Sequence, residues 1–304
     1  MDQQLHGKTN LSINLAQEID GEIVSCDSMQ IYKDMNIGTA TPTQDEMRGI
    51  KHYMINCVEP EERFSVSDYK KQAEKAIEEI LKKGKTPIVV GGTGLYLNSL
   101  VDGIEYPEIG IDEEYRIKLN NRAQDEGLDK LYEEAYQIDP DAMEKISKND
   151  KKRIVRVLEI YHQTGKTKTQ QEILSKKNGV RFNYYIFGLN IERAVLYERI
   201  NKRVDIMIEQ GLIEEVKELM KKHLQIKTAM QSIGYKETVE YLENKITKQE
   251  MVEKIKQESR RYAKRQLTWF RKRDGIIWLN GLDSSKENIR KILEIVKNEK
   301  CKEV

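Results

Sequence analysis

Three stretches of this chain carry residue types that could hold a phosphate and move a proton. The first is Gly7-Lys8-Thr9, which opens the helix-like run "GKTNLSINLA". It matches the second half of the phosphate-binding pattern G-x-x-x-x-G-K-[ST]. There, N–H groups at a helix start would hold a phosphate, Lys8 would neutralise it and Thr9 would reach a magnesium ion. An ordinary helix N-terminus has the same composition. The second stretch is "CDSMQIYKDMNIGTATP", residues 26–42, where Asp27 ends an apolar run. A carboxylate there could accept a proton or hold a metal ion's water shell, or simply cap a helix. The third is "VVGGTGLYLNSL", residues 89–100, whose glycines around Thr93 would let backbone approach a ligand, or make a tight turn.

Two further tracts carry positive charge. In "NDKKRIVRVLEIYHQTGK", residues 149–166, Lys152, Arg153 and Arg156 recur at helical spacing, with Ile154, Val155 and Leu158 opposite. A basic face over an apolar one suits phosphates of a nucleic acid, and equally a solvated helix surface. Between Ser259 and Arg273 stand seven Lys/Arg and no acids, interleaved with Tyr262, Trp269 and Phe270. Cations beside aromatics suit single-stranded RNA, whose bases are unstacked; Trp269 is expected in the core. Arg203, in "KRVDIMIEQG", flanks an apolar stripe and reads as a surface ion-pair partner or a bidentate phosphate ligand. His6, His52, His162 and His223 form no metal-ligand pattern.

The elements that must position these residues alternate. "GEIVSCD" (21–27) and "TPIVVGG" (86–92) read as buried strands, and the spacing between them predicts a helix over "VSDYKKQAEKAIEEILKKGK" that stops at Gly84. That β–α–β order predicts an α/β fold with a parallel sheet. Ligands of such sheets sit beyond the carboxyl ends of the strands, so the loops beginning at Asp27 and Gly91 should face the same crevice as Gly7-Lys8-Thr9. Residues 111–183 are polar, charged and helix-like and read as a helical insertion between core segments 1–110 and 184–304. "YYIFGLNI" (184–191) returns to strand character. A helical stripe follows through Leu196, Ile200, Val204, Met207 and Ile208, continuing after Gly211 with Leu212, Val216 and Leu219. A long helix over 249–273, a strand "GIIWLN" (275–280) and a last surface helix after Lys286 complete the pattern.

At 304 residues the chain has ample length for a core. Its 38% hydrophobic and 34% charged composition implies a heavily charged surface, and the net charge of +1 means that any nucleic-acid affinity must come from local clustering. Cys26, Cys57 and Cys301 are widely spaced without a C-x-x-C pair, so neither a zinc site nor a disulfide framework is indicated, and a cytoplasmic setting is expected. No apolar run approaches a membrane span, and Met1-Asp2-Gln3 does not open a signal peptide.

Taken in order, "GKTNLSINLA", "DSMQIYKDMNIGTA", "PIVVGGTGLYL", "NDKKRIVRVLEIYHQTGK", "RVDIMIEQGLIEEV", "SIGYKETVEYL" and "YAKRQLTWFRKR" resemble the tRNA dimethylallyltransferase family, from Gly7 to about Asn280. The resemblance implies a P-loop NTPase-like α/β core with a helical insertion. It also implies transfer of a dimethylallyl group from its diphosphate to the exocyclic amine of the adenine 3′ of the anticodon in tRNA, assisted by Mg²⁺. On that basis Gly7, Lys8, Thr9 and Arg203 are expected to hold the diphosphate, Thr9 the metal, and Asp27 to serve as base. The resemblance sets Asp27, Ser28, Met29, Gln30 and Thr93 against the tRNA. It sets Lys152, Arg153, Ile154, Val155 and Arg156 there too, with Gln231, Ser232, Ile233, Gly234, Tyr235 and Lys236. A monomer is the expected state.

The chain departs from the family at its start. Met1 to His6 supply neither the family's apolar strand nor the first half of its loop, and Asp2 stands where the pattern has glycine. A shortened or misassigned start is the expectation, with apolar surfaces beside the absent strand left uncovered. Three other functions compete: the same transfer to a free adenine nucleotide, a small-molecule P-loop kinase, and a non-catalytic RNA-binding relative. The helical insertion and the two basic tracts argue against the first, and the long basic-aromatic helix is left unexplained by the second.

Overall fold

The computed structural model describes residues 7–105, 110, 112–176, 179–223 and 229–300. Met1 to His6 and Cys301 lie outside the described residues. The chain divides into two compact units, Met1–Leu97 with Tyr184–Val304, and Asn98–Asn183.

In the first unit the order begins α1 (Gly7–Glu18), β1 (Gly21–Cys26), α2 (Gln44–Met47), β2 (His52–Tyr53), α3 (Val66–Lys82), β3 (Thr86–Gly91) and α4 (Gly94–Val101), whose end crosses into the second unit. The second unit continues with α5 (Glu113–Asp125), α6 (Leu128–Ile138), α7 (Pro140–Met143), α8 (Lys151–Thr164) and α9 (Lys168–Ser175). The first unit then resumes with β4 (Ile186–Asn190), α10 (Arg193–Glu209), α11 (Leu212–Lys222), α12 (Tyr235–Leu242), α13 (Lys248–Arg271), β5 (Ile276–Asn280) and α14 (Ser285–Lys300).

Local signals explain several boundaries. Helix α3 starts at a capping box in which Ser65 and Asp68 satisfy each other's backbone N–H, and it stops where Gly84 turns left-handed at φ +74°. Thr247 and Glu250 start α13 in the same way. Strands β2, β1 and β3 form a parallel sheet in that order, with Cys26 opposite Gly91. Both of those strands therefore end at one rim, and the loops that leave them lie side by side. Asp27 falls just outside the ladder, one residue beyond the end of β1.

Strands β4 and β5 form a second, separate parallel pair, Ile186 opposite Ile276. Strand β1, paired on both edges, is buried throughout, whereas Ile88, Val89 and Val90 of β3 are only partly buried, as is most of β4. Among the described residues no strand covers the second edge of β3 or of β4.

The largest core of the first unit joins Ile31, Tyr32 and Met35 from the loop after β1 to Val204, Leu212, Val216, Leu219, Tyr235, Met251 and Ile255 from four helices. Burial of so many large apolar side chains, each contributing about 1.5–3 kcal/mol, holds that loop against the helices. In the second unit Leu119, Leu131, Ala135, Met143, Ile154, Val157 and Leu158 make an independent helical core.

Candidate active site

Every side chain at the carboxyl rim of the three-stranded sheet is placed by a short piece of local geometry. After β1, Asp27 Oδ1 accepts the N–H of Met29 at 2.9 Å, an Asx turn that bends the chain away from the ladder. Gln30 braces the same loop, donating from Nε2 to the carbonyls of Thr39 and Ala40 at 3.3 Å each, while its Oε1 accepts from Ser25 Oγ at 3.0 Å. After β3, the N–H groups of Gly92 and Thr93 both donate to the Cys26 carbonyl, at 3.2 and 3.1 Å. Gly91 permits that approach, because a Cβ there would stand 2.1 Å from the Cys26 oxygen. Thr93 Oγ1 in turn accepts the N–H of Ser28. Asp27, Ser28 and Thr93 are thus tied into one rim.

Lys8, in the first turn of α1, belongs to the same rim. Its side chain is exposed to solvent at the surface while protein atoms crowd around it. Desolvation there lowers its ammonium pKa below the ordinary lysine value, Asp27 opposes the shift and Arg203 adds to it. Arg203 reaches the cluster from α10. Desolvation lowers its pKa, against the pull of Asp27 and Glu46. Its Nε is sealed from solvent without a hydrogen-bond partner. A guanidinium whose N–H is buried without a partner costs stability, and an anion beside it would remove that cost. Lys8 and Arg203 thus share the Asp27 carboxylate, and Glu46 acts on Arg203 as well. Thr9 follows Lys8 in α1, and Gly7 lies against Leu189 of β4.

Helix α13 supplies a wall of this rim that charge and aromatic content alone did not reveal. Gln266 Nε2 donates to the Gly92 carbonyl at 2.8 Å. Tyr262, one turn earlier, reaches Gln266 and Thr93, and its phenol pKa is raised by desolvation and by Asp27. Trp269 lies over Gly94 and is 44% exposed, so the expectation that it is a core residue is corrected: it packs on backbone and stays open to solvent. Gln266 carries no charge and adds nothing to the basic-aromatic pattern, and its partner is a backbone carbonyl. The signal available was its spacing, four after Tyr262 and three before Trp269, which puts all three on one helix face.

The motif "QSIGYK" divides by burial. Gln231 and Lys236 are exposed, whereas Gly234 and Tyr235 are buried. Ser232 Oγ donates to the Ala229 carbonyl at 2.6 Å, the N–H of Gly234 donates to Glu237, and Ile233 packs against the main core. Tyr235 therefore has no surface to offer RNA, whereas Gln231 and Lys236 are exposed and Ser232 and Ile233 are partly so.

In the second unit, helix α8 presents Lys152 and the 66%-exposed Arg153 to solvent. Ile154 and Val155 point the other way into the core, so their side chains have no surface for a nucleic acid. Arg156 is half-exposed and pairs with Glu159, a buried carboxylate that also holds Arg116 through two hydrogen bonds. No cluster of three or more His, Cys, Asp or Glu able to hold a metal ion occurs among the described residues, and no described helix is long and apolar enough to cross a membrane.

The chain is similar to known proteins over most of its length. The family model for IPP transferase matches residues 30–273. The tRNA dimethylallyltransferase of Acetivibrio thermocellus is 48% identical over 275 residues, which cover 90% of this chain and 88% of that protein. The one from Carboxydothermus hydrogenoformans is 46% identical over 288 residues, 95% of this chain and 92% of that one. Among solved structures, the full-length tRNA isopentenylpyrophosphate transferase from Bacillus halodurans superposes with a TM-score of 0.71 at 39% identity, covering 96% of this chain and 92% of that one. A eukaryotic dimethylallyltransferase acting on tRNA gives a TM-score of 0.78 at 31% identity, covering 96% and 77%.

Proposed function

The chain belongs to the IPP transferase family of tRNA dimethylallyltransferases, and from that premise we propose how its rim carries out the transfer. The reaction moves a dimethylallyl group from its diphosphate to the exocyclic amine of the adenine 3′ of the anticodon in tRNA, releasing diphosphate. The observation that carries this reading is the convergence of Lys8, Asp27 and Arg203, with the Arg203 Nε buried and unpaired.

The allylic C–O bond breaks as charge builds on the leaving diphosphate, and cations aimed at that charge stabilise the transition state. Lys8 and Arg203 supply them, with the first-turn N–H groups of α1 beneath. The adenine amine is a poor nucleophile because its lone pair is delocalised into the ring. Asp27 accepts a hydrogen bond from that amine and then its proton as the new N–C bond forms. Ser28 and Thr93 line the same rim and hold the acceptor base in register. The base must leave its stack to reach them, at a cost of about a few kcal/mol.

Magnesium commonly binds one or two protein oxygens while retaining waters and substrate phosphates. A rim with a threonine hydroxyl and, among the described residues, no cluster of carboxylates suits that mode. Thr9 would hold the ion together with the donor's own oxygens, where it would neutralise diphosphate charge.

The tRNA backbone is met by the exposed cations of α8, Lys152, Arg153 and Arg156, and by Gln231 and Lys236. Tyr262 and Trp269, exposed at the rim, offer faces on which unstacked bases rest. A monomer in the cytoplasm completes the reading.

The deciding assay incubates this chain with labelled dimethylallyl diphosphate and unmodified tRNA or its anticodon stem-loop. Label in the RNA that disappears when the target adenine is replaced supports the reading. Label in free adenine nucleotide but not in RNA overturns it.

A further inference from the structure

The carboxylate of Glu215 does work that neither its exposure nor its place in α11 suggests. Glutamates in a first helical turn ordinarily favour the helix dipole, and Glu214 and Glu215 both sit there. Glu215 instead reaches the loop after β1. Its Oε2 accepts the N–H groups of Asn36 at 2.9 Å and Ile37 at 2.8 Å, and its Oε1 accepts that of Gly38 at 3.2 Å. The Tyr235 hydroxyl donates to Oε1 at 2.6 Å. Four donors thus converge on one anion, three of them successive backbone groups that form a nest.

Tyr235 completes the arrangement from below. It is fully buried, and its ring lies so close to Gly38 that a Cβ there would fall 2.3 Å from Cε2. The far side of the held segment carries the next link. Thr39 and Ala40, directly after the nest, present the two carbonyls to which Gln30 donates. Ala40 is held left-handed at φ +49°, a strained state for a residue with a Cβ, which persists only where its surroundings enforce it. Gln30 stands three residues beyond Asp27.

We propose that Glu215 is a positioning residue: seated in the nest of Asn36–Gly38 and held by Tyr235, it fixes, through Gln30, the loop that presents Asp27 to the acceptor amine. The buried tyrosine of "QSIGYK" then serves catalysis without touching RNA. This inference rests on the transferase reading, since it needs Asp27 to be the group whose placement matters.

The test uses the full chain and Glu215→Gln, which keeps the volume but turns an NH₂ toward backbone donors. Three quantities are measured: turnover in prenyl transfer, affinity for dimethylallyl diphosphate by calorimetry, and deuterium uptake of the peptide spanning residues 29–42. A misplaced reacting group can cost up to about 100-fold in rate. The expected result is turnover lowered roughly 10- to 100-fold, faster uptake confined to that peptide, and donor affinity unchanged, because Lys8 and Arg203 stand on other elements. Tyr235→Phe, which loses one donor and keeps the ring, should give a smaller change of the same kind and decides the matter should Glu215→Gln not fold. Unchanged turnover in a variant whose loop exchanges faster overturns the inference. So does a parallel fall in donor affinity, which marks general loosening, and so does unchanged uptake. Wild-type chain that transfers no prenyl group at all would sink the transferase reading instead, and the uptake data would still report on the nest.

Discussion

The backbone N–H of Ser28 donates to Thr93 Oγ1 at 3.0 Å, across 65 residues of sequence. One hydroxyl thereby joins the loop after β1 to the loop after β3. A threonine in a glycine-rich turn becomes the clasp that sets where Asp27 stands.

Thr93→Val keeps the shape of that side chain and removes the acceptor. A part-buried N–H left without a partner costs about 1–3 kcal/mol. Stability measured by urea denaturation should fall within that range, and turnover should fall further than stability accounts for, since the loop carrying Asp27 is released. Equal turnover in the two proteins under conditions where both are folded would show that the clasp has no bearing on catalysis.

Asp27→Asn tests the base. The amide is nearly isosteric and can still accept from the Met29 N–H, but it cannot take a proton. Removal of a general base typically costs 10²- to 10⁴-fold, so turnover should drop by about that factor. Affinity for the anticodon stem-loop, read by fluorescence anisotropy, should be retained. Near-full turnover removes Asp27 from the role.

Lys8 should impose a pH dependence on donor binding. Only its ammonium form attracts the diphosphate, and desolvation has lowered its pKa from the ordinary 10.5. Affinity should therefore stay level at lower pH and decline through the lowered pKa, by roughly tenfold per unit once above it. Calorimetry across the alkaline range, where the diphosphate is fully ionised, reads the decline. Lys8→Met should bind weakly and without that slope. A variant retaining the same slope would assign the titration to another group.

Arg203 sets stability against function. Its buried, unpaired Nε makes the guanidinium costly in the free protein. Arg203→Met should leave the unfolding free energy unchanged or raise it by about 1 kcal/mol or more, while donor affinity collapses. A thermal melt several degrees lower would mean that the Asp27 and Glu46 interactions outweigh desolvation.

Arg153 is the more open of the two α8 arginines, 66% exposed against 39% for Arg156. Arg153→Glu should weaken stem-loop binding and reduce the slope of log affinity against log salt by about one for the lost contact. Donor binding should be untouched. Equal loss of both would indicate damage to the fold.

The sequence by itself determined the elements and much of the chemistry. The 3.6-residue periodicity and the capping box at Ser65 set α3, the short apolar runs set β1 and β3, and the polar region after residue 111 read as helices, all from local preferences. Gly7-Lys8-Thr9 and Asp27 stood out as candidates because phosphate and proton chemistry would use those residue types in such places. The tertiary structure decided which candidates share a site and which serve each other. It brought Arg203 to Lys8 and Asp27 across nearly two hundred residues, and buried Tyr235, Ile154 and Val155 within motifs that read as contact surfaces. It also left Trp269 open. Gln266 and Glu215 stayed hidden for one physical reason. Their roles depend on hydrogen bonds to distant backbone groups, Gly92 for one and Asn36 to Gly38 for the other, and backbone donors and acceptors are the same at every residue. No pattern of side-chain types can announce such a pairing before the chain has folded.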